Sequence, residues 1–142
     1  MSAPRTLPAK GPLRFAGYAA LFGQRDAGRD AIVPGAFART LAARDAPLPL
    51  FWQHRPDQRI GWIETVREDH RGLRVIGVID NPGGGAAAAV QRGAVTGLSF
   101  GYRAAGSCQS AAGRDLTDID LFEISLVTTP MQHGARVHLL TR

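Results

Sequence analysis

Five residues in the second half of the chain, Gly97-Leu98-Ser99-Phe100-Gly101, match the G-x-S-x-G pattern that surrounds a hydrolase nucleophile. In that pattern the serine sits on a sharp strand-to-helix turn, which exposes its hydroxyl. Here the apolar period of two continues through Phe100 and Tyr102, and no helix follows. No HGGG-type segment stands upstream to supply an oxyanion hole. The pattern match is therefore a decoy, although Ser99 itself remains a candidate nucleophile. In an extended strand Leu98, Phe100 and Tyr102 take one face, while Gly97, Ser99 and Gly101 take the other. That second face is bare except for one hydroxyl. It can admit another backbone at close range, or accommodate a packed helix or barrel bend with Ser99 as a small filler.

A serine nucleophile needs a base within hydrogen-bond reach and a group that orients the base. Of the four histidines, His70 falls in a hairpin turn beside Asp69 and Arg71, His133 in a loop after Thr128-Thr129-Pro130-Met131-Gln132, and His138 in a final strand. His54 ends the apolar stretch PLPLFWQH, just before Arg55-Pro56. A ring at the tip of a hydrophobic strand is firmly held yet reachable, which suits a general base and equally a half-buried edge residue. For the orienting acid, Glu123 in IDLFEISLV alternates with Ile119, Leu121 and Val127 and so falls on an apolar face. A carboxylate there requires a partner, either a histidine or one of the arginines. Asp118 and Asp120 fall on the opposite face as solvated acids.

The elements that must position these residues are short strands. Residues 13–22, 47–54, 59–69, 72–80, 94–104, 115–130 and 135–140 read as strands, with the prolines of 47–54 placing it at a sheet edge. Residues 24–32 and the small-residue stretch near 105–113 read as loops. Pro34, with Phe37 and Leu41 four apart, opens a short helix, and an alanine-rich helix after Asn81-Pro82 stops at Gly93. This pattern predicts a mainly β domain of six or seven strands with two short helices, not alternating βα units.

A chain of 142 residues fits one domain. No apolar run reaches membrane-spanning length, and a single cysteine, Cys108, excludes an internal disulfide. The net charge is +5, but the arginines are scattered rather than clustered, so a nucleic-acid site is set aside. The stretch GGGAAA at 83–88 lacks the acid of a dinucleotide fold and the Lys-Ser/Thr of a phosphate loop. His133 and His138 have no acidic or cysteine companions that would make a metal site.

The order His54, Ser99, Glu123 with its surroundings resembles the prohead (capsid maturation) proteases of tailed phages of the HK97 type. Five ordered blocks carry the resemblance: FAGYAALFGQRDAGRDAIVPGAFARTL, PLFWQHRPDQRIGWI, EDHRGLRVIGVID, VQRGAVTGLSFGYRA and DLFEISLVTTP. The resemblance implies an assemblin-like β-barrel with helices around it, and a single protease domain at 13–142 after a flexible segment at 1–12. It implies Ser99 as nucleophile, His54 as general base and Glu123 as third member, with His133 as the fallback. Assemblins use a second histidine at that third place. Oxyanion donors are expected in the loop from Thr128-Thr129-Pro130 to Gly134. On this reading Gly97 and Gly101 leave room for an extended substrate. The implied substrate and assembly partner is the major capsid protein, with self-cleavage as a second event. No cofactor or metal is implied, and a homo-oligomer is admitted. Setting and particle follow: the host cytoplasm, inside the prohead of a phage or a gene transfer agent. An idle barrel serving as internal scaffold or capsid-binding module is the alternative.

Overall fold

The computed structural model describes residues 11–141. The expected flexible segment at 1–12 thus lies outside the described residues up to residue 10. In chain order the elements are β1 (Leu13–Leu21), β2 (Asp30–Ile32), α1 (Ala38–Ala43), β3 (Pro49–Trp52), β4 (Arg55–Glu68), β5 (Gly72–Ile79), α2 (Gly85–Gln91), β6 (Gly97–Ser110), β7 (Gly113–Val127) and β8 (Val137–Thr141). The mainly β architecture expected from sequence is present: among the described residues eight strands form one curled sheet that does not close into a continuous barrel.

β7 is the spine of this sheet. β6 pairs antiparallel along its whole length, from Gly97↔Val127 to Ser110↔Gly113. Its other edge is shared by β2, parallel at Leu116, and β3, parallel at Ile124 to Leu126. Between those two short strands the β7 edge would carry unpaired donors. The first helical turn fills the gap: Ala36 O accepts from Ile119 N–H at 3.0 Å and Thr40 Oγ1 from Leu121 N–H at 3.1 Å. Glu68 holds that turn in place, its carboxylate accepting from Gly35 N–H and Phe37 N–H at 2.9 and 2.8 Å. The apolar period then seats Phe37 in the core beside Leu50, Leu98, Leu116, Ile124 and Leu126.

Three expectations are corrected. β3 is not an edge strand, because it pairs with both β4 and β7; Pro49 is tolerated as its first residue. Residues 105–110 are not a loop but the continuation of β6 into a long hairpin. The tail of the expected 24–32 loop forms β2, which three residues of local pattern cannot announce.

The remaining edges meet at a seam. Leu98 N–H donates to Ala135 O and Val137 N–H to Thr96 O, both at 2.8 Å, so the start of β6 lies against the approach to β8. β8 in turn pairs with β1. Gly17 permits this contact. A Cβ there would lie 2.3 Å from the Arg136 carbonyl oxygen and 2.7 Å from Leu98 Cδ1. Gly17→Ala is expected to destabilise the protein by roughly 1–3 kcal/mol through overpacking, seen as a lower urea midpoint at unchanged m-value. An unchanged midpoint would show that the seam is not close-packed.

Candidate active site

The β3–β4 hairpin is closed by a two-residue turn, Gln53-His54, with Trp52 opposite Arg55. Both turn residues have positive φ, 54° and 60°, the geometry of a type I′ turn. Asn and Gly usually take such positions; here two larger residues do, at a conformational cost that the surroundings must offset. Gln53 N–H donates to Leu126 O at 2.9 Å. The Gln53 amide forms a reciprocal pair with Thr128, donating to its hydroxyl at 2.7 Å and accepting from its backbone N–H at 3.1 Å. His54 N–H donates to Ser125 Oγ at 3.2 Å. The expected turn at Arg55-Pro56 is instead the first pair of residues in β4.

Glu123 reaches this turn because of a bulge. Along β6 and β7 the register passes from Gly101↔Glu123 to Tyr102↔Leu121, leaving Phe122 as an extra residue. Leu121 and Ile119 therefore face the core with Ile124 and Leu126, whereas Glu123 faces the other side of the sheet. This corrects the sequence argument, which placed Glu123 on the face of Ile119 and Leu121. The carboxylate is buried nonetheless, because Gly101 leaves it space: a Cβ on Gly101 would lie 2.7 Å from Glu123 Cδ and Oε2. Gly97 likewise accommodates the Pro130 ring, whose Cδ would be 2.8 Å from a Cβ there. The bare strip beside Ser99 is thus filled by two groups of the chain itself, and not left open for a passing strand.

His54 Nδ1 lies 2.9 Å from Glu123 Oε2 and 3.2 Å from Oε1. An ionised carboxylate only accepts, so Nδ1 carries the proton and Nε2 is left as the basic nitrogen. Ser125 Oγ donates to Glu123 Oε1 at 2.9 Å. The His54 side chain is 41% exposed and that of Glu123 only 9%, the arrangement of a reachable base on a shielded acid. The Glu123 hydrogen bond, reinforced by its charge, holds the imidazole above its ordinary value against the opposing effect of burial.

Ser99 is buried, at 5% exposure, and pairs across the ladder with Ser125, two residues along β6 from Gly97 on one side and from Gly101 on the other. Among the described residues no hydrogen bond joins its hydroxyl to His54; such bonds commonly tighten only when substrate is bound. The structure therefore brings His54 and Glu123 into contact and sets Ser99 on the adjacent strand, two residue pairs along the ladder from Glu123. His133, the fallback, faces elsewhere: its Nδ1 lies 3.4 Å from Arg136 Nη2. Sequence reasoning missed Ser125 and Gln53, and named Thr128 only as part of the expected oxyanion loop and not as an anchor of the His54 turn. The one available signal was for Ser125, which stands two residues from Glu123 in a strand and so shares its face.

A family model described as caudovirus prohead serine protease matches residues 4–142. The chain belongs to the caudovirus prohead serine protease family. It is 35% identical over 130 residues to the prohead protease of Enterobacteria phage HK97, covering 87% of this chain and 58% of that protein. It thus spans little more than half the length of that relative. In fold it is similar to KSHV protease, solved with a hexapeptide phosphonate inhibitor, at TM-score 0.66 and 15% identity over 92% of this chain and 65% of that one. It is also similar to the capsid assembly protease of bacteriophage T4, at TM-score 0.63 and 12% identity over 82% and 81% of the two chains. At these identities the structural likeness is one of fold.

In this prohead protease family member the His54–Glu123 pair gives a direct titration test. With a folded value above the unfolded one of about 6.5, the pair stabilises the fold at low pH and loses that contribution as pH rises through the folded value. His54 is expected to titrate above about 6.5 by NMR, and Glu123→Gln to bring it down. Gly101→Ala should lower it too, since the new methyl displaces the carboxylate. A His54 value unmoved by both changes would mean that the contact is not formed in solution.

Proposed function

We propose that the chain is a serine endopeptidase in which Ser99 is the nucleophile, His54 the general base and Glu123 the orienting acid. The observation that carries this reading is the His54–Glu123 pair at 2.9 Å, with Glu123 two residue pairs along the ladder from Ser99, in a chain of a serine protease family. His54 Nε2 takes the Ser99 proton as the oxygen attacks a scissile carbonyl, and returns it to the leaving amine. The acyl-enzyme is then released by water. Glu123 keeps the imidazole in the right tautomer and stabilises the imidazolium that forms.

Oxyanion donors are proposed in the loop from Thr128 to Gly134. Two observations support that place. Pro130 lies against Gly97, two residues before Ser99. The backbone N–H groups of Met131, Gln132, His133 and Gly134 also donate no hydrogen bond among the described residues. Gln132 fastens this loop: its buried side chain accepts from Leu21 N–H at 2.7 Å and donates to Leu21 O and Gln24 O at 2.9 and 3.1 Å.

The proposed substrate is the major capsid protein, with the enzyme itself as a second target, inside the assembling prohead of a tailed phage or gene transfer agent in the host cytoplasm. Family membership and the similarity to the HK97 prohead protease support this choice. Residues 13–142 are taken as one protease domain, alone or as a homo-oligomer. The test is co-expression with the major capsid protein encoded nearby, comparing wild type and Ser99→Ala by intact mass of the capsid subunit. Wild type is expected to give a shortened subunit and Ser99→Ala the full-length one. Full-length subunit in well-formed shells from both would point to a scaffold or capsid-binding module and overturn the protease reading.

A further inference from the structure

Ser125 has the most constrained polar side chain of the site and no part in the chemistry proposed above. It is fully buried, at 0% exposure. A hydroxyl so deep in a sheet is costly unless its hydrogen bonds are made. Here both directions are used: it donates to Glu123 Oε1 at 2.9 Å and accepts from His54 N–H at 3.2 Å. Its strand position is equally specific. Ser125 pairs with Ser99 in β6 on one side and with Phe51 in β3 on the other, and β3 leads directly into the Gln53-His54 turn. One side chain therefore touches the acid and the base's own backbone, on the residue that faces the nucleophile.

We propose that Ser125 is a positioning residue, which locks the strained His54 turn and the Glu123 carboxylate into one geometry relative to Ser99. This rests on the serine protease reading given above. The physical need is clear from the turn. His54 at φ 60° lies outside the usual range for a non-glycine residue, and a rotated peptide there would swing the ring away from Glu123. The Gln53–Thr128 pair anchors the first turn residue, and Ser125 anchors the second. On the acid side, a carboxylate with one donor can rotate about its Cγ–Cδ bond. With Ser125 on Oε1 and His54 nearest Oε2, both oxygens are engaged and rotation is blocked.

The experiment is phosphonylation of the full chain by a fluorophosphonate, followed by intact mass across a pH series. The Ser99 oxygen bonds to phosphorus, fluoride leaves and the proton passes to His54, so the rate reports activation of the serine without a capsid substrate. Ser125→Ala is expected to slow labelling about 10–100-fold, the scale of a lost hydrogen bond to a charged group, and to move the acid limb to lower pH. Ser125→Thr keeps the hydroxyl and is expected to recover most of the rate. If the alanine variant fails to fold, Ser125→Cys carries the comparison, since it is close in size and a weak donor; about tenfold slowing is expected. Labelling at the wild-type rate in a folded alanine or cysteine variant overturns the proposal. So does slower labelling with an unmoved acid limb, which would mark a packing defect alone. A wild type that resists the reagent, or Ser99→Ala labelled like wild type, instead overturns the protease reading on which the proposal stands.

Discussion

A carboxylate placed against a sheet, largely out of water, is the constraint around which this structure is organised. Left without partners, the Glu123 charge would cost several kcal/mol. The fold meets it with a donor on each oxygen, from Ser125 and His54, and with a gap made by the missing side chain of Gly101. Each solution imposes a further demand. Gly101 must stand opposite Glu123 in register, Ser125 two residues along on the same face, and the His54 ring within reach of a strand remote in sequence. Phe122 supplies the last adjustment. As the extra residue of a bulge it turns Glu123 out of the core while Leu121 and Ile119 stay in.

Those demands explain why β7 lies at the centre of so many contacts. It pairs with β6 along one edge, so Ser99 is fixed relative to Ser125 by ladder hydrogen bonds and not by side-chain packing. Its other edge receives β3 in parallel, which delivers the turn carrying His54 to the end of β7 that holds Glu123 and Thr128. From β2 to β3 the chain advances along β7 in a single direction, so both strands pair parallel with it, and the first turn of α1 lies on that path and satisfies the donors left exposed between them. Fold and site are therefore one arrangement. The three side chains proposed for chemistry lie on β6, on β7 and on the turn that follows β3, aligned by a single spine.

The glycines illustrate how a residue type can be read correctly and its purpose missed. A strip of Gly97, Ser99 and Gly101 announces that something comes close, and something does. Sequence alone cannot say that the visitors are the Glu123 carboxylate and the Pro130 ring, because both arrive from a strand and a loop more than twenty residues away. The arginines pose a similar question. Arg14, Arg25, Arg39, Arg59, Arg103 and Arg114 each pair with an acid, mostly on the surface, which accounts for basic residues that form no patch.

By itself the sequence determined the class of the domain and the strand on which Ser99 sits, and through the family it resembles it pointed to His54 and Glu123, whose contact only the structure shows. These depend on periodicity, on breakers and on ordered blocks that resemble a family, all of which are local and survive in one dimension. Only the tertiary structure decided which face Glu123 occupies, since one extra residue at Phe122 inverts the alternation and leaves the local pattern of hydrophobicity intact. It also decided that β3 is interior, that β2 exists, and that Ser125, Gln53 and Thr128 hold the turn. Each of these depends on pairing between segments distant in the chain. Hydrogen bonds across such distances are set by register, and register is a property of the assembled sheet.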